Sequence, residues 1–207
     1  MKLAIYGATG NTGIELVKQA LENGHTVTAF VRDPSRMPIE HDLLVLMTGD
    51  VFDPASVAQA VQEQDAVICA LGSSELKKTT VRAEGTASII KAMKEHGVQR
   101  LLVVSAMGTG ESWNSLSAVN KFFYATLLKS SREDHEAQEA AVKESSLDWT
   151  IIRPSGLTDG PRTGVYEVGE NILAKTSKIA RADVADLAQP GRSRRRHGYA
   201  QRHADGR

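Results

Sequence analysis

Seven residues near the amino terminus, Gly7-Ala8-Thr9-Gly10-Asn11-Thr12-Gly13, combine spaced glycines with two hydroxyls and an amide. Glycines so spaced let a backbone turn approach an anion closely, and the chemistry this suits is the holding of a pyrophosphate. A P-loop is excluded, because no Lys-Ser/Thr pair follows Gly13. Arg32 and Arg36 come about 20 residues later, where a dinucleotide fold reads the adenosine ribose. An acidic side chain there accepts from a ribose 2′-hydroxyl, whereas an arginine fork matches a 2′-phosphate; two arginines against the single Asp33 favour NADP(H) over NAD(H).

Further along, Ser105 stands at the exit of the apolar run Leu101 to Val104, where a hydroxyl would face a nicotinamide as the catalytic candidate. A carbonyl reductase of ordinary type protonates its substrate from a tyrosine activated by a lysine one helical turn on. None of the four tyrosines has that lysine: Gly10, Leu128, Glu170 and His203 occupy the place. A hydride acceptor that takes its proton from water fits better, so the expected partner is a small aromatic acceptor: a flavin, quinone or bilin. His135 is a remoter proton-relay candidate, although a histidine on so charged a helix reads first as a surface residue. Cys69 lies in an apolar run and reads as core, and the scattered histidines offer no metal site.

These residues need elements to hold them. Leu3 to Tyr6 predicts a buried strand, and Ile14, Val17 and Leu21 predict a helix ended by Gly24. Further strands are expected at Thr26 to Val31, Leu43 to Met47, Ala66 to Leu71, Leu101 to Val104 and Trp149 to Ile152. Helices are expected from Asp53-Pro54, over Thr79 to His96, over Arg132 to Glu144 and from Arg181, and Val119 to Lys129 contains Phe122, Phe123 and Tyr124. Thr109 to Ser117, with Trp113, reads as a loop over the crevice, and Val165 to Val168 as a short strand. Alternation of this kind is α/β: a Rossmann-like, doubly wound parallel sheet with helices on both faces, in three layers. Strand carboxyl ends line the ligand crevice of such a sheet, which places Asp50, Val51, Leu71, Gly72 and Ser73 near the adenine and second ribose.

Positive and negative side chains balance at 25 each, which gives no overall push toward nucleic acid or membrane. The balance is uneven along the chain, since the 21 residues from Leu187 hold six arginines and one aspartate. Residues 1–186 are therefore expected to form one nucleotide-binding domain, with a small substrate-side subregion at about 156–180. Residues 187–207 read as a disordered arginine-rich tail, too poor in apolar residues to offset its ordering entropy. With no cleavable signal and no apolar run long enough to span a bilayer, a cytoplasmic monomer or weak dimer is the expectation.

Several motifs together carry a family likeness: the glycine loop, Val31-Arg32-Asp33, Gly49-Asp50-Val51, Asp65-Ala66-Val67-Ile68, Ala92 to Val98, Asp134-His135 and Leu147 to Pro154. The chain resembles the atypical short-chain dehydrogenase/reductases, the group holding the NAD(P)H-binding NmrA-like proteins and biliverdin IXβ reductase, also called flavin reductase. The resemblance implies an NADPH-dependent oxidoreductase, or alternatively a non-catalytic NADP(H)-sensing regulator of the NmrA-like type. It implies that Thr9 to Thr12 hold the pyrophosphate and that Arg32, Ser35 and Arg36 hold the 2′-phosphate. Asp50 and Val51 would frame the adenine, with Ser105, Pro154 and Ser155 around the nicotinamide. Two departures stand out. Met107 to Trp113 replaces the aromatic stretch of the flavin reductase, and the abrupt turn to arginine at about Leu187 reads as a reading-frame change.

Overall fold

The computed structural model describes residues 1–73, 79–110, 113, 129–169 and 178–191 with their side chains, and 198–202 as backbone. In chain order the elements are β1 (Lys2–Tyr6), α1 (Asn11–Glu22), β2 (Thr26–Val31), a 3-10 turn (Pro34–Arg36), β3 (Leu44–Thr48), α2 (Pro54–Val61), β4 (Ala66–Cys69), α3 (Val81–Glu95), β5 (Arg100–Val104), α4 (Lys129–Lys143), β6 (Asp148–Pro154), β7 (Gly156–Thr158), β8 (Tyr166–Gly169), β9 (Lys178–Ala180), α5 (Arg181–Leu187) and β10 (Gly198–Arg202). The main sheet has the order β3-β2-β1-β4-β5-β6-β10-β8, and β7 pairs with β9 in a small second sheet. Its first six strands are all parallel, and β8 runs antiparallel to β10.

The central strands β1, β4 and β5 are buried and apolar, apart from a charged first residue in β1 and β5, because both faces of the sheet are covered there. Along β1, Leu3 and Ile5 pack toward α1 and α5, with Leu16, Val17, Val184 and Ala185, in one core. Ala4 and Tyr6 point the other way, into a second core with Val57 of α2, Ile89 and Met93 of α3 and Val142 of α4. Burying side chains of this size contributes roughly 1.5–3 kcal/mol each. Tyr6 completes its burial by donating its hydroxyl to the Val57 carbonyl at 2.9 Å, and burial pushes its phenol pKa up, so it is a neutral structural group.

Connections are set locally. Asp53 caps α2 by accepting from Ala55 N and Ser56 N, with Pro54 in the first turn where no N–H is needed. The sheet reverses direction of growth between β1 and β4, which opens the crevice at their carboxyl ends.

Two sequence expectations for the end of the chain differ from what the structure describes. The chain is buried from Ala182 through Gln189, so α5 and its exit extend the body past residue 186. The backbone of Gly198–Arg202 forms β10 between β6 and β8, whereas the tail was expected to be disordered; the ladder is made by backbone groups, which an apolar-residue count does not see. Pro154 is the last residue of β6, and its carbonyl accepts from Met107 N at 2.9 Å, a bond that needs no N–H from proline. Residues 119–128 lie outside the described residues, and α4 starts at Lys129. No helix of the described residues is long and apolar enough to cross a membrane.

Candidate functional site

The glycine loop leaves β1 at Gly7, whose φ of +77° lies in the left-handed region that side chains rarely adopt. A methyl group there would run into the Ala70 carbonyl, so the loop abuts the exit of β4. One on Gly13 would strike the Gly7 carbonyl, which is how α1 comes to lie close against the strand. Gly10 is exposed, donates to Gly7 O at 3.0 Å and starts α1 with no side-chain cap. The first-turn N–H groups of α1 at Asn11, Thr12 and Gly13 are left to a ligand or to water, at the positive end of the helix dipole. A cradle free of side chains, backed by uncapped donors, is what a pyrophosphate fits, and Thr9, Asn11 and Thr12 stand on its rim.

At the end of β2, Arg32, Ser35 and Arg36 are exposed on one turn. Asp33 folds back into it: its Oδ1 accepts from Ser35 N at 3.0 Å and Ser35 Oγ at 2.7 Å. Those hydrogen bonds, and the charge of Arg36, hold the Asp33 carboxyl below its ordinary pKa. The carboxylate is thereby engaged within the turn while the two guanidinium groups stay free for a ligand. Ser35, in turn, already spends its hydroxyl hydrogen on Asp33. Asp50 does something similar, accepting from Phe52 N at 3.0 Å. Val51 and Leu71 are 6% and 9% exposed, packed over Gly85 of α3, so they support the crevice floor from beneath more than they line it. Gly72 is exposed at the exit of β4, with Ser73 beside it.

The exits of β5 and β6 carry a buried polar cluster. Ser105 Oγ donates to Glu139 Oε1 at 2.7 Å and lies 3.3 Å from His135 Nδ1. Arg153 grips the same carboxylate with two bonds, Nε to Oε1 at 2.8 Å and Nη2 to Oε2 at 2.5 Å. Lys143 adds a longer ion pair at 3.8 Å. His135 is buried, contrary to its reading as a surface residue, because α4 turns that face onto β5. Burial, reinforced by the charge of Arg82, lowers its pKa to about 3, so it is a neutral imidazole at any ordinary pH. Ser155 is 6% exposed and its hydroxyl has no partner among the described residues. Pro154 is buried beside it. Trp113 lies under the Arg132 guanidinium at 4.6 Å, and the rest of its proposed loop, 111–112 and 114–117, is outside the described residues.

Ser105 and His135, named separately from sequence, are therefore neighbours. Glu139 and Arg153, which join them, were missed. The available signal was the spacing of His135, Gln138, Glu139 and Val142, one face of a helix, all four buried. As a set they can orient a ligand's hydrogen-bonding groups.

A family model described as NAD(P)H-binding matches residues 7–189. The uncharacterized protein YwnB of Bacillus subtilis is 30% identical over 194 residues, spanning 91% of this chain and 89% of that one. Among solved structures, the anaerobilin reductase ChuY of Escherichia coli O157:H7 matches with a TM-score of 0.82 at 23% identity over 100% of both chains. A short-chain dehydrogenase/reductase of Veillonella parvula in complex with NADP matches with a TM-score of 0.82 at 21% identity, covering 98% of this chain and 95% of that one. Those two structural likenesses concern the fold. The family match runs from the glycine loop to Gln189, the last buried residue after α5, and takes in every element of the crevice. The chain belongs to the NAD(P)H-binding family.

Proposed function

We propose that this protein is an NADPH-dependent cytoplasmic reductase that passes a hydride to a planar conjugated acceptor, a flavin, quinone or bilin. The observation that carries the reading is the cluster of Ser105, His135, Glu139 and Arg153, in which the histidine is neutral and the carboxylate is committed to arginine. A carbonyl substrate would need an acid from such a site. A delocalised acceptor does not, because it can draw its proton from water once hydride has arrived. The reductase among the structural neighbours supports the same reaction class.

The bound nicotinamide supplies the hydride. Gly7, Thr9, Gly10, Asn11, Thr12 and Gly13 would hold its pyrophosphate through backbone donors and rim hydroxyls. Arg32 and Arg36 would take the 2′-phosphate, with Ser35 turning its hydroxyl hydrogen from Asp33 to a phosphate oxygen; this is the ground for preferring NADP(H). Asp50, Gly72 and Ser73 would border the adenine and ribose, over Val51 and Leu71. Ser105 spends its hydrogen on Glu139, so toward a carboxamide it acts as an acceptor, and the unpaired Ser155 hydroxyl can donate or accept there. These residues orient and exclude water; none of them donates the proton.

Absorbance at the NADPH band, with FMN, a quinone and biliverdin offered in turn, tests the proposal. Oxidation with at least one acceptor is expected. Tight NADPH binding with no oxidation by any of them would replace the reductase with a non-catalytic NADP(H) sensor.

A further inference from the structure

Arg82, near the start of α3, is held by an aspartate from another helix. Asp134 of α4 accepts from Arg82 N at 3.3 Å, from Ala83 N at 3.0 Å and from Arg82 Nη1 at 3.2 Å. Asp134 thus caps α3, which has no side-chain cap of its own, and fixes one corner of the guanidinium. The opposite edge is left over. Nε is buried with no partner among the described residues, and Nη2, on the same edge, faces Gly72 at the exit of β4. A methyl group on Gly72 would lie 3.7 Å from Nη2, and Gly72 itself is exposed.

That edge occupies a telling place. The β4 exit abuts the glycine loop, and His135, next to Asp134, reaches Ser105 at the exit of β5. Arg82 therefore stands between the proposed phosphate seat and the polar cluster. A cationic N–H buried without a partner is costly, more so than a neutral one, and arginine is 8% exposed here. A residue whose only task was to tie α3 to α4 would need the Nη1 contact alone. The Nε/Nη2 edge is the one with which arginine takes two oxygens of a carboxylate or phosphate at once.

We propose that the Nε/Nη2 edge of Arg82 is an oxyanion subsite of the crevice, with Asp134 as its positioning residue. It takes two oxygens of one acidic group on the bound ligand, and it rests on the reading of this crevice as a dinucleotide site. The group is either the pyrophosphate of the cofactor or a phosphate or carboxylate on the acceptor.

Two variants test it. Arg82→Lys keeps a positive charge for Asp134 but lacks the planar edge, and Arg82→Gln keeps a donor for Asp134 but no charge. Thermal unfolding identifies which is folded, and calorimetry then measures Kd for NADPH, and for FMN and riboflavin on the NADP⁺-loaded protein. A loss of about tenfold or more for NADPH assigns the subsite to the cofactor. A similar loss for FMN, with NADPH and riboflavin unchanged, assigns it to an acid on the acceptor. A folded variant that matches the wild type with all three probes overturns the subsite and leaves the dinucleotide reading standing. Wild-type protein that binds no NADPH overturns both.

Discussion

Glu139 and Arg153 meet through two parallel hydrogen bonds inside the protein, with side chains 2% and 1% exposed. Breaking such a pair from one side strips a buried charge of its two-point partner, which costs about 3–5 kcal/mol, whereas replacing both partners with apolar groups is far milder. Glu139→Ala should therefore lower stability by about that amount in urea denaturation. Glu139→Leu combined with Arg153→Met should recover most of it. A loss below about 1 kcal/mol in the single variant would show that water, not the pair, satisfies these groups. Neither variant should hold Ser105 in place, so NADPH oxidation should fall in both.

The neutral His135 gives a pH signature. Its folded pKa is about 3, and its unfolded value is about 6.5. Stability rises with pH wherever the unfolded state binds more protons. The full contribution is present above about pH 6.5 and is lost as the pH falls toward 3, by up to about 1.4 kcal/mol per pH unit. His135→Asn removes that titration. Its stability should decline less steeply than the wild type's between pH 6.5 and 4, measured by urea denaturation at each pH. Parallel curves would mean that the imidazole is hydrated enough to protonate in the folded protein.

What could be read from the sequence was whatever has a local cause. The glycine loop, α1, the caps at Asp53-Pro54 and the apolar central strands are written in neighbouring residues, and they place the crevice. The polar cluster is not written that way. Arg132 to Lys143 is charged on most sides, and only Val142 marks its buried face as apolar, so hydrophobic periodicity is nearly blind to it. Arg153 sits in an otherwise apolar strand and makes sense only with Glu139 opposite, 14 residues earlier on another element. Arg82 is hidden for the same reason, since its partner Asp134 is 52 residues away.

Two glycines of the loop should separate binding from folding. Gly10 has φ −76° and ψ 159°, open to any residue, and a methyl there meets only the Gly7 carbonyl at 3.3 Å. Gly10→Ala should fold with nearly wild-type stability and still lose NADPH affinity, by roughly tenfold or more, because its methyl occupies the approach to the phosphate. Gly13→Ala strikes the Gly7 carbonyl and Ala8 backbone and should cost roughly 1–3 kcal/mol or more of stability as α1 is pushed from β1. Thermal unfolding and calorimetry on the pair check this. Full NADPH affinity in Gly10→Ala would move the pyrophosphate away from the loop.

The proposed preference for NADP(H) rests on the turn after β2. Arg32 and Arg36 are exposed there, and Asp33, the residue that would otherwise favour NAD(H), is engaged with Ser35 N and Oγ. A charge-assisted contact to a 2′-phosphate is worth roughly 1–3 kcal/mol, and NADH has no group to make it. Arg32→Ala with Arg36→Ala should therefore raise Kd for NADPH by roughly ten- to a hundredfold and leave that for NADH within about twofold. Calorimetry with both cofactors decides the point. Because the two ligands differ only at the 2′ position, equal losses would mean that the arginines act on something both share, and that the phosphate is read by another part of the crevice.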